Sequence, residues 1–254
     1  MGFVIGLVCS KCRYLNKWGE SICQKCMTPL GSSSSTSIKE IQLFHINKGG
    51  RGLIYSNSNA FSISVGRQGC DISFDSDNYL SIMHARIENS IDGLKVIDAG
   101  SYNGIFKKVK GSTVIKPADV FICGAQILKF LGMLNRLTPY ILPDSTVFYG
   151  STIPDTEYLM VQQILSSRKM GNLYLKPSPL TIGREKADIL FPYDKFLSTT
   201  HCSIMVNENG FILNDLNSAN GVYIKVRGSE LITDGDILLM GQELLMIRIT
   251  EKAE

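Results

Sequence analysis

Residues 196–204 read FLSTTHCSI and residues 79–87 read YLSIMHARI, so the pattern Leu-Ser-x-x-His is written twice in a chain with only 3 histidines. The same polar set accompanies both. Gly66-Arg67 and Gly183-Arg184 precede the two serines, Ser81 and Ser198, while Asn103-Gly104 and Asn220-Gly221 follow them. An arginine at a loop edge offers a planar fork of donors, a serine hydroxyl offers another, and an asparagine amide can bond both sides of an extended backbone. Together these groups suit a phosphorylated peptide. His84 and His201, each three residues after its serine, can tie loops together by using one ring nitrogen as donor and the other as acceptor. Hydrolysis by Ser81, His84 and Asp98, or by their counterparts, is the competing chemistry. It is poorly supported, because there is no Gly-x-Ser-x-Gly elbow and the Ser and His stand too close in sequence for the usual layouts. Walker loop and dinucleotide fingerprint are also absent, so no enzyme is expected.

A second group with chemistry is the cluster Cys9, Cys12, Cys23 and Cys26, which reads CSKC, ten intervening residues, then CQKC. Each Cys-x-x-Cys can turn both thiols toward one point, and two such knuckles supply the four sulfurs of a closed tetrahedral zinc site, with no position left for water. The site is therefore structural, not catalytic. Lys11 and Lys25 inside the knuckles favour the thiolates, and about thirty residues are too few to fold without such a staple. A rubredoxin-like iron site and redox-active dithiols are the alternatives. Cys70, Cys123 and Cys202 sit among apolar residues and are expected to be inert thiols.

These residues need elements to position them. The chain has 254 residues, 44% of them hydrophobic, with 23 glycines and many short runs of Val, Ile, Leu, Phe and Tyr, which favours an all-β fold and two domains. From Gly66 onto Gly183 through to Gly124 onto Gly241, the sequence repeats at a constant offset of 117 positions without a gap. A period this long means a duplicated domain, not a solenoid. In the second copy Val222, Ile224 and Val226 alternate with Tyr223, Lys225 and Arg227, the period-two signature of a half-buried strand after an Asn-Gly turn. The equivalent set is Ile105, Lys107 and Val109. The segment EYLMVQQIL could pass for a helix, but its counterpart EIQLFHI reads better as a strand. A zinc-ribbon-like segment over residues 1–30, a serine-rich linker over 31–37, a first domain over 38–131, a linker over 132–156 and a second domain over 157–250 are the expected boundaries.

Both copies resemble forkhead-associated (FHA) domains, on the Gly-Arg, Ser-x-x-His and Asn-Gly motifs quoted above. The resemblance implies two eleven-stranded β-sandwiches that recognise phosphothreonine through loops at one end. By it, Arg67 and Arg184 would hold the phosphate, Ser81 and Ser198 would donate to it, and Asn103 and Asn220 would bond the ligand main chain. His84 and His201 would brace the loops, with Gly66, Gly104, Gly183 and Gly221 completing the structural motif. The residue after the motif serine, often a polar ligand contact in the family, is Ile82 in the first copy and Thr199 in the second. The residue before Asn-Gly, often threonine, is Tyr102 or Ala219. The second copy is accordingly expected to be the stronger site.

The net charge of +3 is small and its cations are scattered, which gives no electrostatic footprint for duplex DNA or an anionic membrane. The opening MGFVIGLV is too short for a signal peptide or a membrane helix, and Gly6 breaks a myristoylation motif. A cytoplasmic adaptor is expected, its partner a phosphothreonine protein from a Ser/Thr kinase pathway. The alternatives are a phospho-independent scaffold and nucleic-acid contact through Lys11, Arg13, Lys17 and Lys25 with Tyr14 and Trp18 interleaved.

Overall fold

The computed structural model describes residues 6–9, 11–12, 14–17, 20, 22–28, 39–47, 49–57, 62–90, 93–134, 141–147, 157–167 and 169–251. The serine-rich segment 31–37, much of 132–156, and the residues Arg13 and Trp18 lie outside or partly outside that set. Two compact units emerge, one of residues 1–39 with 251–254 and one of residues 40–250. In the first unit β1 (Gly6–Val8) and β2 (Leu15–Lys17) form an antiparallel pair. Tight turns hold the knuckles, with the Cys9 amide donating to the Tyr14 carbonyl at 2.9 Å and the Cys23 amide to the Thr28 carbonyl at 2.8 Å.

Every regular element of the second unit is a strand among the described residues. The first copy supplies β3 (Lys39–Asn47), β4 (Gly50–Asn57), β5 (Ser62–Gly66), β6 (Ile72–Ser73), β7 (Ala85–Ser90), β8 (Gly93–Asp98), β9 (Ile105–Lys108), β10 (Ser112–Ile115), β11 (Val120–Cys123) and β12 (Gln126–Leu134). The second copy supplies β13 (Tyr158–Ser166), β14 (Lys169–Pro177), β15 (Leu180–Gly183), β16 (Ile189–Leu190), β17 (Cys202–Asn207), β18 (Gly210–Asp215), β19 (Val222–Lys225), β20 (Ser229–Leu231), β21 (Ile237–Met240) and β22 (Glu243–Glu251). The ambiguous EYLMVQQIL is strand β13, as its counterpart suggested.

The ten-stranded sheet runs β14-β13-β12-β11-β19-β9-β21-β22-β3-β4, and two five-stranded sheets, β20-β8-β7-β5-β6 and β10-β18-β17-β15-β16, complete two sandwiches. Neither sandwich is closed by one sequence copy. β20, β21 and β22 of the second copy pair with β8 and β9 and lie beside β3, while β10, β11 and β12 of the first copy pair with β18, β19 and β13. The buried clusters divide in the same way. Ile63, Ile87, Val96 and Ile105 pack with Val226, Leu238, Met240, Leu245 and Ile247, whereas Ile115, Phe121, Leu128 and Phe130 pack with Leu159, Ile182, Ile204 and Leu213.

The expected boundaries 38–131 and 157–250 therefore give way to a nested arrangement. One sandwich is contiguous, β10 to β19, and the other is built from β3 to β9 with β20 to β22. Residues 132–156 do not link two folded units, because Gly132 to Leu134 belong to β12 and the rest connects β12 to its own antiparallel neighbour β13, Leu134 opposite Tyr158. The chain crosses between sandwiches at residues 109–111 and 226–228 instead. At both crossings it runs straight on rather than folding back, since the Val109 amide donates to the Val222 carbonyl and the Val226 amide to the Ile105 carbonyl, each at 2.8 Å. This extends the β9–β19 pairing, in which Tyr223 faces Lys108 and Lys225 faces Phe106.

Cations at the crossings meet buried acids of the exchanged segments. Lys110 Nζ lies 2.7 Å from Asp236 Oδ1, and Arg227 Nε donates to Asp119 Oδ1 at 2.6 Å, the same pair related by the repeat. Asp236 is 1% and Asp119 6% exposed, and each also caps a turn through the Thr233 or Lys116 amide at 2.8 Å. Leaving either acid unpaired would be costly, because an uncompensated buried charge destabilises by about 3 to 5 kcal/mol.

The exchange makes a direct prediction about proximity. Val114 stands opposite Ile212, and Leu231 opposite Lys95. Cysteines at Val114 and Ile212 should form a disulfide on mild oxidation, since directly opposed strand residues have Cα atoms about 4.5 to 5.5 Å apart. A Val114→Cys, Lys95→Cys pair should not. Mass spectrometry of peptides from the oxidised variants reads the outcome, and cross-linking in the second pair with none in the first would show that each copy closes on itself.

Candidate functional site

The residues singled out in the sequence converge at one loop cluster in each sandwich, and the two clusters are built alike. In the first, the Arg67 amide donates to the Ser81 carbonyl at 2.9 Å, Ser81 Oγ accepts from the Tyr102 amide at 3.1 Å, and Asn103 Nδ2 donates to the Tyr79 carbonyl at 2.8 Å. In the second, the Arg184 amide donates to the Ser198 carbonyl at 3.0 Å, Ser198 Oγ accepts from the Ala219 amide at 3.1 Å, and Asn220 Nδ2 donates to the Phe196 carbonyl at 2.7 Å. Three loops are thus stitched at one end of each sandwich, with Asn103 and Asn220 exposed and the serines and arginines half-buried.

Beneath each cluster lies a fully buried imidazole. His84 Nδ1 accepts from the Ser81 amide at 3.1 Å and Nε2 faces the Gly104 carbonyl at 3.0 Å; His201 makes the same bonds with Ser198 and Gly221 at 3.1 and 3.2 Å. An amide can only donate and a carbonyl only accept, so both rings are neutral with the proton on Nε2. Neither ring serves its serine hydroxyl as a base. Asp98 and Asp215 are likewise committed, to the Ser101 and Ser218 amides at 2.7 and 3.0 Å. The hydrolytic triad considered from sequence does not assemble.

Close approach explains the motif glycines. A Cβ on Gly66 would lie 2.1 Å from the Ile82 carbonyl oxygen, and one on Gly183 would lie 2.4 Å from that of Thr199. The arginine-bearing strand ends could not dock against the serine loops with any larger residue there. Gly104 and Gly221 both have φ +84, a left-handed conformation that side chains other than glycine rarely adopt.

Sequence reasoning passed over Asp77 and Asp194, a pair at the repeat offset. Buried Asp77 accepts from the Tyr79 amide in its own loop and, at 2.7 Å, from the Gln242 amide in the exchanged β21–β22 turn. Asp194 accepts from the Phe196 amide and, at 2.8 Å each, from the Ala125 amide in the β11–β12 turn and from Gln126 Nε2 at the start of β12. Each serine loop is therefore braced by a turn that arrives from the other copy. The repetition of both aspartates was the available signal.

The two arginines differ. Arg67 Nε is buried and has no hydrogen-bond partner, and Nη1 reaches Asn78 Oδ1 only at 3.4 Å. Arg184 Nε is engaged by Glu185 Oε1 at 3.0 Å, where the first copy has the neutral Gln68. Exposed apolar side chains surround the first serine: Tyr79, Ile82, Met83 and Tyr102. At the second, Thr199 takes the place of Ile82.

In the other unit, the sulfurs of Cys9, Cys12, Cys23 and Cys26 all lie within 4.8 Å of one another, with Cys9–Cys26 and Cys12–Cys23 at 3.5 Å. Tetrahedral zinc with bonds of about 2.3 Å would hold its sulfurs about 3.8 Å apart, so the cluster fits a metal. A hydrogen bond with the Thr28 hydroxyl, at 3.1 Å, holds the Cys26 thiol down to about 6. The backbone at Tyr14 favours the Cys12 thiolate, but desolvation and the neighbouring sulfurs outweigh it and push that thiol up to about 12. Lys11, Tyr14 and Lys25 are exposed or half-exposed there; the Lys17 side chain, Arg13 and Trp18 are outside the described set.

Burial lowers the pKa of His84 and His201, opposed in part by their bonds to the Gly104 and Gly221 carbonyls. A histidine held neutral in the fold stabilises fully above its unfolded pKa of about 6.5, and that stability is lost as pH falls through the folded value, at up to about 1.4 kcal/mol per pH unit for each ring. The urea midpoint should therefore be lower at pH 5.5 than at pH 7.5. A variant with both His84→Gln and His201→Gln should show a smaller pH dependence, and an equally steep one would contradict this account.

The FHA domain family matches residues 63–123 and 180–241, the two segments that carry these clusters. No curated protein matches the chain. Among solved structures, that of the Slr1951 protein from Synechocystis sp. is 23% identical over 35% of this chain and 90% of its own, with a TM-score of 0.23, a likeness too slight to carry any argument. FHA domains are interaction modules that bind phosphopeptides, generally those containing phosphothreonine. On the strength of both matches and of the four-cysteine cluster that precedes them, the chain is a tandem FHA-domain protein with an N-terminal segment able to hold a metal.

Proposed function

We propose that this protein is a cytoplasmic adaptor that binds phosphothreonine-containing partners generated by Ser/Thr kinases. One observation carries the reading: an arginine, a serine hydroxyl and an asparagine are held together at the rim of each sandwich by the same network, twice. A phosphate brings two negative charges and several acceptor oxygens, which the guanidinium and the hydroxyl can meet with charge-assisted bonds. In this reading Arg67, Ser81 and Asn103 form one site, and Arg184, Ser198, Thr199 and Asn220 the other. At the first site the unmet donor of Arg67 is the kind of demand an anion satisfies. Its apolar rim suits ligands with bulky residues beside the phosphothreonine. Thr199 adds a donor at the second site, while Glu185 occupies the arginine that a phosphate must win.

Calorimetry of the full chain with phosphothreonine peptides tests this. Each charge-assisted bond contributes about 1.5 to 3 kcal/mol, so Arg184→Ala and Arg67→Ala should each weaken their own site by tenfold or more. Glu185→Gln should strengthen the second site. Affinity unchanged in the doubly substituted Arg67→Ala, Arg184→Ala chain would falsify the assignment.

The four-cysteine cluster is proposed to hold structural zinc. Metal analysis should find about one equivalent per chain, lost together with the fold of the small unit when Cys9 and Cys12 are both changed to serine. Zinc retained at full occupancy in that variant would exclude a tetrathiolate site.

A further inference from the structure

Lys225 and Lys108 are equivalent residues at the repeat offset, and the β9–β19 pairing carries each to the other copy's site. Directly opposite residues of an antiparallel pair share a face, so Phe106, Lys108, Tyr223 and Lys225 point one way, while Ile105 and Val226 enter one core and Val109 and Val222 the other. From its place opposite Phe106, Lys225 reaches diagonally to Gly104, two residues before Phe106 and just ahead of β9, a distance that long side chains span. A Cβ on Gly104 would lie 2.2 Å from Lys225 Cε and 2.8 Å from its Nζ. Reciprocally, a Cβ on Gly221 would lie 2.3 Å from Lys108 Cε and 2.9 Å from its Nζ. The missing side chain of each Asn-Gly glycine is the space into which the other copy's lysine stem settles.

These two ammonium groups stand apart from their neighbours. Lys107 Nζ is satisfied by Glu230 at 2.8 Å and Asp236 at 3.4 Å, and Lys110 Nζ by Asp236 at 2.7 Å. Among the described residues neither Lys108 nor Lys225 has a hydrogen-bond or ion-pair partner, and Lys225 Nζ lies 6.0 Å above the Phe106 ring. Both are half-buried, so the stems are packed while the charges remain unpaired. A cation without an acidic partner, its stem packed over the glycine that follows Asn103 or Asn220, extends each cluster beyond the arginine and serine.

We infer that each phosphopeptide site is completed by a lysine from the opposite copy, Lys225 at the Arg67 site and Lys108 at the Arg184 site, which selects ligands carrying a second anion near the phosphothreonine. The second anion is an aspartate, a glutamate or a further phosphorylated residue. This inference rests on the phosphothreonine reading above and adds a specificity element to it. The family motifs do not contain it, because it depends on which copies lie side by side.

The test uses the full chain carrying Arg184→Ala, so that only the first site is read, and phosphothreonine peptides in which one aspartate or one phosphoserine is walked through the flanking positions. At one or more positions the acid should raise affinity by about threefold over a neutral peptide, the size expected for a solvent-accessible ion pair, and phosphoserine by at least as much. That gain should disappear in Lys225→Met, which keeps the stem over Gly104, and persist in Lys108→Met. In the Arg67→Ala chain the two lysines should exchange roles. Raising the salt should shrink the gain, since screening weakens exposed pairs. If neutral phosphothreonine peptides bind but no flanking acid helps, or if the gain survives Lys225→Met, the lysine assignment is wrong and the phosphothreonine sites stand. If no phosphothreonine peptide binds the unmodified chain, both readings fall.

Discussion

The antiparallel pairing of β9 with β19 is the contact on which the rest of this protein depends. It fuses what would be two five-stranded layers into a single ten-stranded sheet, and it does so with backbone bonds that continue through Val109 and Val226 into the opposite sandwich. Because both strands run straight on at this junction, everything after them must complete the other copy's core. The exchange of β10 to β12 for β20 to β22 follows from that one geometry. So does the nesting of a contiguous sandwich within a discontinuous one.

Reciprocity has consequences for stability. Leu238, Met240, Leu245 and Ile247 are fully buried in the first core, and Phe121, Leu128 and Phe130 in the second. Burying such side chains contributes about 1.5 to 3 kcal/mol each, so either exchanged segment is worth as much as the entire net stability of an ordinary domain. Residues 40–250 accordingly form one compact unit despite holding two repeats. The buried acids that meet the crossings, Asp119 and Asp236, tie specificity to the same places: the charge of each is paired by cations from the other copy.

The loop clusters at the sandwich rims inherit this coupling. Asp77 and Asp194 hold the serine loops by reaching turns that the other copy supplies, and Lys225 and Lys108 settle over glycines that belong to the other copy's Asn-Gly turn. Neither rim is the property of one repeat. The clusters nonetheless differ in ways set by single residues, Ile82 against Thr199 and Gln68 against Glu185, so the two copies share a scaffold and differ at its rim.

Local chemistry was legible from the amino-acid order alone. Glycines that a Cβ would break, histidines whose two nitrogens need one donor and one acceptor, Asn-Gly turns and paired Cys-x-x-Cys knuckles all act over a few residues, so their types and spacing specify the sandwich family, the loop clusters and the sulfur cluster. Partner choice between strands was not legible. Val222, Ile224 and Val226 show an unbroken alternation, yet Val222 fills one core and Val226 the other. Because the two copies are alike, a strand such as β10 finds the same pattern of neighbours in β8 or in β18, and alternation cannot say which it joins. Only the straight course of the backbone past Lys108 and Lys225, a long-range geometric fact, decides it, and with it which lysine stands at which site.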